Sequence, residues 1–420
     1  MLPKIITTLQ TYTWALLRTD VIAGATVAMV AIPLSLAIAI ASGAGPEQGL
    51  ITAIIGGLFI SLLGGSRVQI GGPTGAFIVV IYGVIADHGY EGLVLATMMA
   101  GGILLVAGYL KIGNLVAYVP EAVVNGFTIG IGIIIATSQL KDILGLEMGK
   151  VPADFLEKIP ALWAARDSLN ASALAIGIAT MGLITLLRRM APKYPGLIVA
   201  VAATSAVVIF AKLPVETIAS RFGDLPHTLP MPKLPQITWG KITELFPSAL
   251  VIAFLAGIES LLSAMVADRM IGGTHRPNAE VVAQGVANVA SSLFGGMPAT
   301  GAIARTATNV RAGGRTPVAG VVHALVILVL MIFFANVAGY LAMPAMAALL
   351  ILTAWNMTEP HKWCGYLSAR HSDKIMLLLT LTLTVLVDLT VAIGVGVSIG
   401  LALRLRRRKT GPAEWSPPER

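Results

Sequence analysis

Apolar segments of roughly membrane-spanning length follow one another along most of this chain. A helix needs about 20 mostly apolar residues to cross a bilayer, and such stretches recur between short polar or glycine-rich turns. Two of the segments are short because each follows a Gly/Pro interruption. The pattern predicts about fourteen spans, which begin near Val21, Gly49, Thr74, Leu93, Val123, Leu169, Leu197, Leu245, Val281, Thr300, Val318, Tyr340, Ile375 and Val391.

The two interruptions share one arrangement of residues. GGPTGAF (Gly71 to Phe77) and GGMPATGAI (Gly295 to Ile303) both run from paired Gly through Pro to Thr-Gly-Ala. A single echo of small residues can arise from membrane-helix packing alone. However, the offset that superposes Gly75 on Gly301 also places Pro33, in the first apolar segment, opposite Glu259 in a later one. Corresponding breaks in two halves of a chain indicate the binding site of a transporter.

A Pro-rich stretch, HTLPMPKLPQ (His227 to Gln236), separates the two halves. Each half has seven predicted spans, and because seven is odd the second half crosses the membrane in the opposite direction to the first. We predict an all-α integral membrane protein with a 7+7 inverted repeat. The predicted parts are a cytoplasmic segment at 1–19, the first repeat at 20–212, an extracytoplasmic connector at 213–241, the second repeat at 242–408 and a cytoplasmic tail at 409–420.

Composition and charge support this class. The 420 residues are 56% hydrophobic and 12% charged, which a soluble core cannot accommodate. The net charge of +8 comes from Lys and Arg in short loops on one side of the predicted spans, which places both termini in the cytoplasm and gives no support to nucleic-acid binding. The single cysteine, Cys364, excludes an internal disulfide and a cysteine-based metal site.

Inversion brings the two interruptions together. The half-helices that follow them enter the membrane from opposite sides, so their N-termini face each other near the midplane. Each N-terminus carries about half a positive charge and unpaired N–H groups, so the pair predicts an anion site. We expect the backbone N–H groups of the Gly-Ala pair in each copy to hold the anion, with Thr74 either donating a hydrogen bond or only capping its helix. The predicted substrate-binding residues of the half-helices are Thr74, Gly75, Ala76, Phe77, Gly301, Ala302 and Ile303.

Three longer motifs resemble one known family. GGSRVQIGGPTGAF (Gly64 to Phe77), AGIESLLSAMVAD (Ala256 to Asp268) and ATGAIARTATNVRAGGRTPVAGVVHA (Ala299 to Ala324) are similar to the SulP anion transporters, which include sulfate, bicarbonate and dicarboxylate carriers. The resemblance runs from about Asp20 to Arg406. It implies a core domain that binds substrate, a gate domain that holds a dimer or the scaffold, and an elevator-like movement of core against gate.

Two further stretches, NAEVVAQGVANVASSLFGG (Asn278 to Gly296) and PAMAALLILTAWNM (Pro344 to Met357), resemble the bacterial branch that takes up C4-dicarboxylates. This branch implies the bacterial inner (plasma) membrane. Most family members continue into a cytoplasmic STAS domain, whereas about fourteen residues follow Arg406 here. We therefore expect no STAS domain in this chain, and the regulation and dimerisation that the family assigns to that domain are not expected from it.

Glu259 is the predicted coupling residue. A charge inside a membrane helix is costly and indicates a function, and Ser263 follows one turn later on the same face. The resemblance implies an acidic residue beside the substrate that is involved in cation coupling. Three interpretations stay open: a proton carrier, which we favour, a Na⁺ site, and a structural acid hydrogen-bonded to a neighbouring half-helix.

Arg305 lies about one turn into the second half-helix. The resemblance implies that it adds positive charge to the anion pocket, where a guanidinium suits a carboxylate or sulfate. The alternative is a structural ion pair with Glu259. His323, on the eleventh span, is interpreted as a polar group that packs helices.

The predicted function is secondary active transport of a small anion, without a cofactor. Proton-coupled uptake of a C4-dicarboxylate or of sulfate ranks ahead of Na⁺-coupled bicarbonate transport and of a passive anion channel or exchanger. An enzyme is not expected, because the sequence has no HExxH or Gly-x-Ser-x-Gly motif and six His in all. Nucleobase symporters share the architecture, but Arg305 beside two helix N-termini favours a full anion.

Overall fold

The computed structural model describes residues 2–113, 121–149, 151–190, 195–387, 391–392, 394–396 and 398–399. Most of the predicted last span and the whole predicted tail at 409–420 lie outside the described residues. Within the described part, seven helical segments are long and apolar enough to cross a membrane. The chain is a multi-pass membrane protein, as the apolar pattern predicts.

In addition to its α-helices, the first half contains short non-α helical turns, one of which is a 3₁₀ turn at Arg166–Ser168. A π-helical turn lies at Thr52–Gly56, and a second 3₁₀ turn, at Gly75–Phe77, precedes the helix that starts at Ile78. The α-helices of this half are α1 (Lys4–Leu9), α2 (Trp14–Ala41), α3 (Pro46–Ile51), α4 (Gly57–Leu63), α5 (Ile78–Tyr109), α6 (Glu121–Ser138), α7 (Leu140–Leu144), α8 (Phe155–Ala164), α9 (Ala171–Met190), α10 (Gly196–Phe210) and α11 (Ile218–Phe222).

The second half begins with the long helix that carries Glu259. Its α-helices are α12 (Trp239–Ile271), α13 (Pro277–Leu293), α14 (Ile303–Arg311), α15 (Val318–Gly339), α16 (Met343–Met357), α17 (Trp363–Ser368) and α18 (His371–Leu386). Two strands of two residues each, β1 (Gly71–Gly72) and β2 (Thr300–Gly301), lie at the two interruptions.

Contacts between the long helices sort into two groups. In the first group, α5 packs against α12 and α13, and α15 packs against α2. Small residues such as Ala28 on α2 and Ala319 on α15 are fully buried, because close approach of membrane helices depends on small side chains. In the second group, α18 packs against α6, and α16 packs against α6 and α9. These groups correspond to the core and gate domains of the predicted fold.

The half-helices are present at both interruptions, and the predicted all-α membrane fold is confirmed. The first half-helix starts at Gly75 and runs to a kink at Gly89, where the backbone leaves the helical region (φ 68°, ψ −179°). Helix α5 therefore contains both the half-helix and the next predicted span. The second half-helix is α14, which starts at Ile303 rather than at Thr300. The reason for this later start is the strand pairing of the preceding residues.

Candidate substrate and coupling site

The two interruptions meet as a short antiparallel strand pair. Gly71 pairs with Gly301 and Gly72 pairs with Thr300, and the Ala302 N–H donates to the Ile70 carbonyl at 2.9 Å. Apolar periodicity could not predict this pair, because each strand has two residues. Backbone groups at membrane depth need partners, and here the interrupted segments supply them to each other.

The first half-helix starts beside Glu259. The Thr74 hydroxyl donates a hydrogen bond of 2.7 Å to Oε2 of Glu259 on α12. Both side chains are partly exposed, although most of their neighbours are buried. Gly75 and Ala76 lie in the first turn, where N–H groups have no intrahelical acceptor. The structure thus places a carboxyl group, a hydroxyl and a helix N-terminus at one accessible point.

Phe77 and Ile303 occupy different surroundings. The Phe77 side chain is fully buried in the core, and its N–H donates to the Thr74 carbonyl. Phe77 therefore packs on the buried side of the first turn. Its ring is not on the partly exposed side where Thr74 and Glu259 lie. Ile303 is the first residue of α14 and is partly exposed.

The prediction for the backbone of the second copy needs a correction. The Ala302 N–H, which we expected to hold the anion, is engaged by the Ile70 carbonyl. A Cβ atom on Gly301 would lie 1.6 Å from Nε2 of Gln69, so Gly301 packs against protein and not against an open cavity. The unpaired N–H groups of this half-helix belong instead to its first turn, which starts at Ile303.

Arg305 lies behind the first half-helix. Its side chain is 1% exposed, and Nη2 donates to Oγ of Ser35 at 3.1 Å and to the Pro73 carbonyl at 3.0 Å. Gly72 has φ +147°, and a Cβ there would lie 2.3 Å from Nη1 of Arg305, so only glycine leaves room for the guanidinium. Among the described residues no ion pair joins Arg305 to Glu259.

The Pro73–Thr74 dipeptide connects these two charged groups. Arg305 binds the carbonyl of Pro73, and Glu259 accepts from the hydroxyl of Thr74, the next residue. A change in the charge or position of either Arg305 or Glu259 is therefore transmitted to the other residue through two hydrogen bonds and one peptide unit. In the described residues this bridge stands in place of a direct ion pair with Glu259, which was the alternative interpretation of Arg305.

Ser263 connects α12 to the second half-helix and not to Glu259. It is fully buried, and its hydroxyl donates to Oγ1 of Thr306 at 3.2 Å. The same Thr306 oxygen accepts the N–H of Ile70 at 3.1 Å. The predicted coupling residues thus point to different partners, although they lie one turn apart on α12.

Sequence reasoning missed a polar stripe on α13. Its members are fully buried and recur at intervals of four, four and three residues along the helix: Glu280, Gln284, Asn288 and Ser291. This spacing, on a helix that is only moderately apolar, is the sequence signal that would have revealed the stripe. Membrane helices bury such groups only when they have partners.

The stripe supports the strand pair from one side. Oε2 of Glu280 accepts the N–H groups of Gly65 and Ser66 at 2.8 and 3.2 Å, and Oε1 accepts the Ser260 hydroxyl at 2.8 Å. Oγ of Ser260 in turn accepts from Nε2 of Gln69 at 2.7 Å. Glu280 therefore fixes the residue that follows Glu259 on α12 and, through Gln69, the segment that leads into β1.

The Asn288 amide performs the same task for the second interruption. Its Oδ1 accepts the Ala299 N–H at 2.9 Å, and its Nδ2 donates to the Ala299 carbonyl at 2.9 Å. The side chain thus satisfies both backbone groups of the residue before β2. His323, in contrast, is fully buried, and neither ring nitrogen has a hydrogen-bond partner among the described residues.

The chain matches a known family over most of its length. The sulfate permease family model matches residues 17–380. The chain is 43% identical over 359 residues to "Putative sulfate transporter YvdB" of Bacillus subtilis (strain 168), an alignment that covers 85% of this chain and 68% of that protein. It is 32% identical over 344 residues to the bicarbonate transporter BicA of Picosynechococcus sp., which covers 79% of this chain and 60% of that protein.

Solved structures share the fold. The transmembrane domain of a cyanobacterial bicarbonate transporter, BicA, matches with a TM-score of 0.82 and 32% identity, covering 91% of this chain and 99% of that one. The murine anion transporter Slc26a9 in its inward-facing state matches with a TM-score of 0.87 at 17% identity, covering 97% of this chain and 72% of that one, and it shows likeness of fold alone.

These relatives are named as transporters, in agreement with the predicted class. The family model covers well over half of the chain, and the matched region contains the strand pair, both half-helices and Glu259. The resemblance inferred from the motifs is confirmed. The chain belongs to the sulfate permease family.

Proposed function

We propose that the chain carries a small inorganic oxyanion across the membrane by secondary active transport, coupled to a proton on Glu259. The observation that carries the proposal is the hydrogen bond from Thr74 to Glu259, which holds an ionisable carboxyl group at the N-terminus of the first half-helix. Names of relatives support sulfate or bicarbonate as the substrate. The predicted C4-dicarboxylate stays a prediction, and neither of those relatives is named for one.

Charge balance favours a divalent anion with a proton. Two helix N-termini contribute about half a positive charge each, and Arg305 adds one more behind them. A protonated Glu259 leaves about two positive charges, which match sulfate, whereas an ionised Glu259 leaves about one. Sulfate would therefore enter together with a proton, and bicarbonate would be matched without one.

Movement across the membrane would follow from the two-group architecture. The strand pair, both half-helices and Glu259 belong to the α2–α5 and α12–α15 group, so the complete site can move as one body against α6, α9, α16 and α18. We propose an elevator-type movement on this basis. Loops rich in Lys and Arg support cytoplasmic termini, and the bacterial relative supports the bacterial plasma membrane.

The decisive experiment uses Glu259→Gln in proteoliposomes. The neutral amide mimics a protonated carboxyl, so exchange of internal for external sulfate should survive, because the loaded site can still move. Accumulation of radiolabelled sulfate driven by an inward proton gradient should be lost. Glu244→Gln is the matched control, since Glu244 lies on the same helix with a side chain that is 61% exposed. Gradient-driven accumulation by Glu259→Gln at the wild-type rate would contradict proton coupling at this residue.

Bicarbonate is the second candidate, because BicA shares 32% identity with the chain in both sequence and structure comparisons. A panel of labelled sulfate, bicarbonate and succinate, each tested with and without external Na⁺, separates the alternatives. Sulfate uptake that depends on the proton gradient and not on Na⁺ supports the main proposal. Na⁺-dependent bicarbonate uptake supports the second, and anion flux without any gradient coupling indicates a channel or exchanger.

A further inference from the structure

Three cations from distant parts of the chain meet at the turn between α4 and β1. The Lys4 N–H donates to the Gly64 carbonyl at 2.9 Å, the Arg276 N–H donates to the Gly65 carbonyl at 3.0 Å, and Arg67 follows in the same turn. We name Lys4, Arg67 and Arg276 the basic cluster. Burial and the nearby charges of Arg276 and Arg67 lower the pKa of Lys4, so the three positive charges act on one another.

Carboxylates in the described part of the chain offset this charge only in part. No ion pair there includes a member of the basic cluster. The Glu280 carboxylate accepts the N–H groups of Gly65 and Ser66 in this turn, and a second acid, Asp268, acts on Lys4 from a distance. Its Oδ2 is already bound by the backbone N–H and by Nδ1 of His275, both at 2.7 Å. The cluster is therefore a net positive surface at the end of the core group that the charge distribution predicts to be cytoplasmic.

Apolar side chains are exposed directly beside the basic cluster. On and before α1, Leu2, Ile6 and Leu9 are 59, 47 and 50% exposed, and Trp14 at the start of α2 is 75% exposed. The Leu2 carbonyl accepts from Nη1 of Arg276 at 2.6 Å, which fixes this segment against the cluster. Tryptophan and adjoining basic and apolar faces are typical of segments that lie at a membrane–water interface.

We propose that the basic cluster and the apolar side chains of residues 2–9 together bind one anionic phospholipid of the cytoplasmic leaflet. The phosphate lies against Lys4, Arg67 and Arg276, where its charge relieves their mutual repulsion. The acyl chains lie against Leu2, Ile6 and Leu9. Basic groups just inside a membrane helix recognise anionic headgroups in this way, and the apolar half distinguishes a lipid from free phosphate.

The test measures lipid bound to the purified full chain in nanodiscs and by native mass spectrometry, with phosphatidylglycerol compared with phosphatidylcholine. Each basic residue near an anionic surface contributes about 1 kcal/mol, so Lys4→Gln/Arg67→Gln should bind phosphatidylglycerol about thirty-fold more weakly. Arg189→Gln/Arg315→Gln removes the same charge from exposed positions on the same predicted side and should bind as the wild type does.

Two further measurements distinguish a bound phospholipid from a soluble anion such as inorganic phosphate. Ile6→Ser/Leu9→Ser should also weaken phosphatidylglycerol binding, and millimolar inorganic phosphate should not displace the lipid. Equal retention of both lipids by the wild type, or equal phosphatidylglycerol binding by the cluster variant and its control, would overturn the proposal. Displacement by inorganic phosphate would overturn it as well, because it would indicate a soluble-anion site. Sulfate transport is not the readout, so these results are independent of the proposed function.

Discussion

The two half-helix starts share the sequence Thr-Gly-Ala but differ in what these residues contact. At the first start, the Thr74 hydroxyl is partly exposed and binds Glu259. At the second, Thr300 is fully buried, and its hydroxyl donates to the Ala256 carbonyl at 2.9 Å. A helix starts after each interruption, but Gly75 lies in the first helical turn of its copy, whereas Thr300 and Gly301 form strand β2 before α14. The side chains of the first copy serve the site, and those of the second copy hold the fold.

The two copies differ because each contacts a different residue of helix α12. It presents Glu259 to the first half-helix and Ser263 to the second, through Thr306. The second half-helix in turn sends Arg305 across to the carbonyl before Thr74. Both charged side chains thus converge on the first start, and we expect it to be the more sensitive place for transport and the second to be the more sensitive place for stability.

The largest expected effect is a difference in stability between substitutions at Gly301 and at Gly75. A Cβ on Gly301 would lie 1.6 Å from Nε2 of Gln69, whereas a Cβ on Gly75 would meet Sδ of Met357 at 3.2 Å. Gln69 cannot swing aside freely, because it is buried and its amide donates to Ser260 at 2.7 Å. Overpacking of a tight interior costs about 1–3 kcal/mol, so Gly301→Ala should destabilise by about 2–3 kcal/mol and Gly75→Ala by less than about 1 kcal/mol. Thermal unfolding in detergent measures both. Equal melting temperatures for the two variants would contradict the comparison.

A somewhat smaller loss of stability is expected at Glu280, which supports the strand pair. Glu280→Gln keeps the shape of the side chain but replaces one acceptor with a donor that faces the N–H groups of Gly65 and Ser66. A buried donor without an acceptor costs about 1–3 kcal/mol, so a loss of about 2 kcal/mol is expected. Glu244→Gln, whose 61% exposed side chain contacts His88 at 3.4 Å, should change the melting temperature little, because a surface ion pair contributes about 0–1 kcal/mol. A wild-type melting temperature for Glu280→Gln would show that the stripe is dispensable.

The third prediction separates stability from transport at the paired threonines. Thr300→Val removes one buried hydrogen bond and should cost about 1 kcal/mol of stability with little change in sulfate uptake per folded molecule. Thr74→Val should leave stability nearly unchanged but lower proton-driven uptake about fivefold and alter its pH dependence, because Glu259 loses its hydrogen-bond donor. Melting curves and uptake at several pH values test the pair. The reverse pattern would place the site at the second start.

The sequence was a good guide to the half-helices because their signals are local. Gly and Pro interrupt apolar runs, and this places both starts within three residues of the structure. Glu259 stands out because an acid in an apolar helix is rare. These features can be identified from the sequence without knowledge of the tertiary contacts between segments.

The interactions across the strand pair depended on contacts that no local pattern encodes. The Ala302 N–H has its acceptor at Ile70, and Arg305 has its acceptor at Pro73. Both partners come from the other half of the chain. The geometry of the site therefore required the tertiary structure, although the residue types were visible.

The smallest expected effect concerns Ser263, which sequence spacing paired with Glu259. Its buried hydroxyl donates to Thr306, and the Thr306 oxygen keeps the Ile70 N–H as a second partner. Ser263→Ala should therefore cost only about 0.5–1 kcal/mol of stability. Because the hydroxyl serves the second half-helix and not the carboxyl group, the pH dependence of uptake and its response to Na⁺ should match the wild type. Uptake assays across pH, with Na⁺ replaced by K⁺, measure this directly. Loss of the proton response in Ser263→Ala would contradict this prediction and show that Ser263 takes part in coupling together with Glu259.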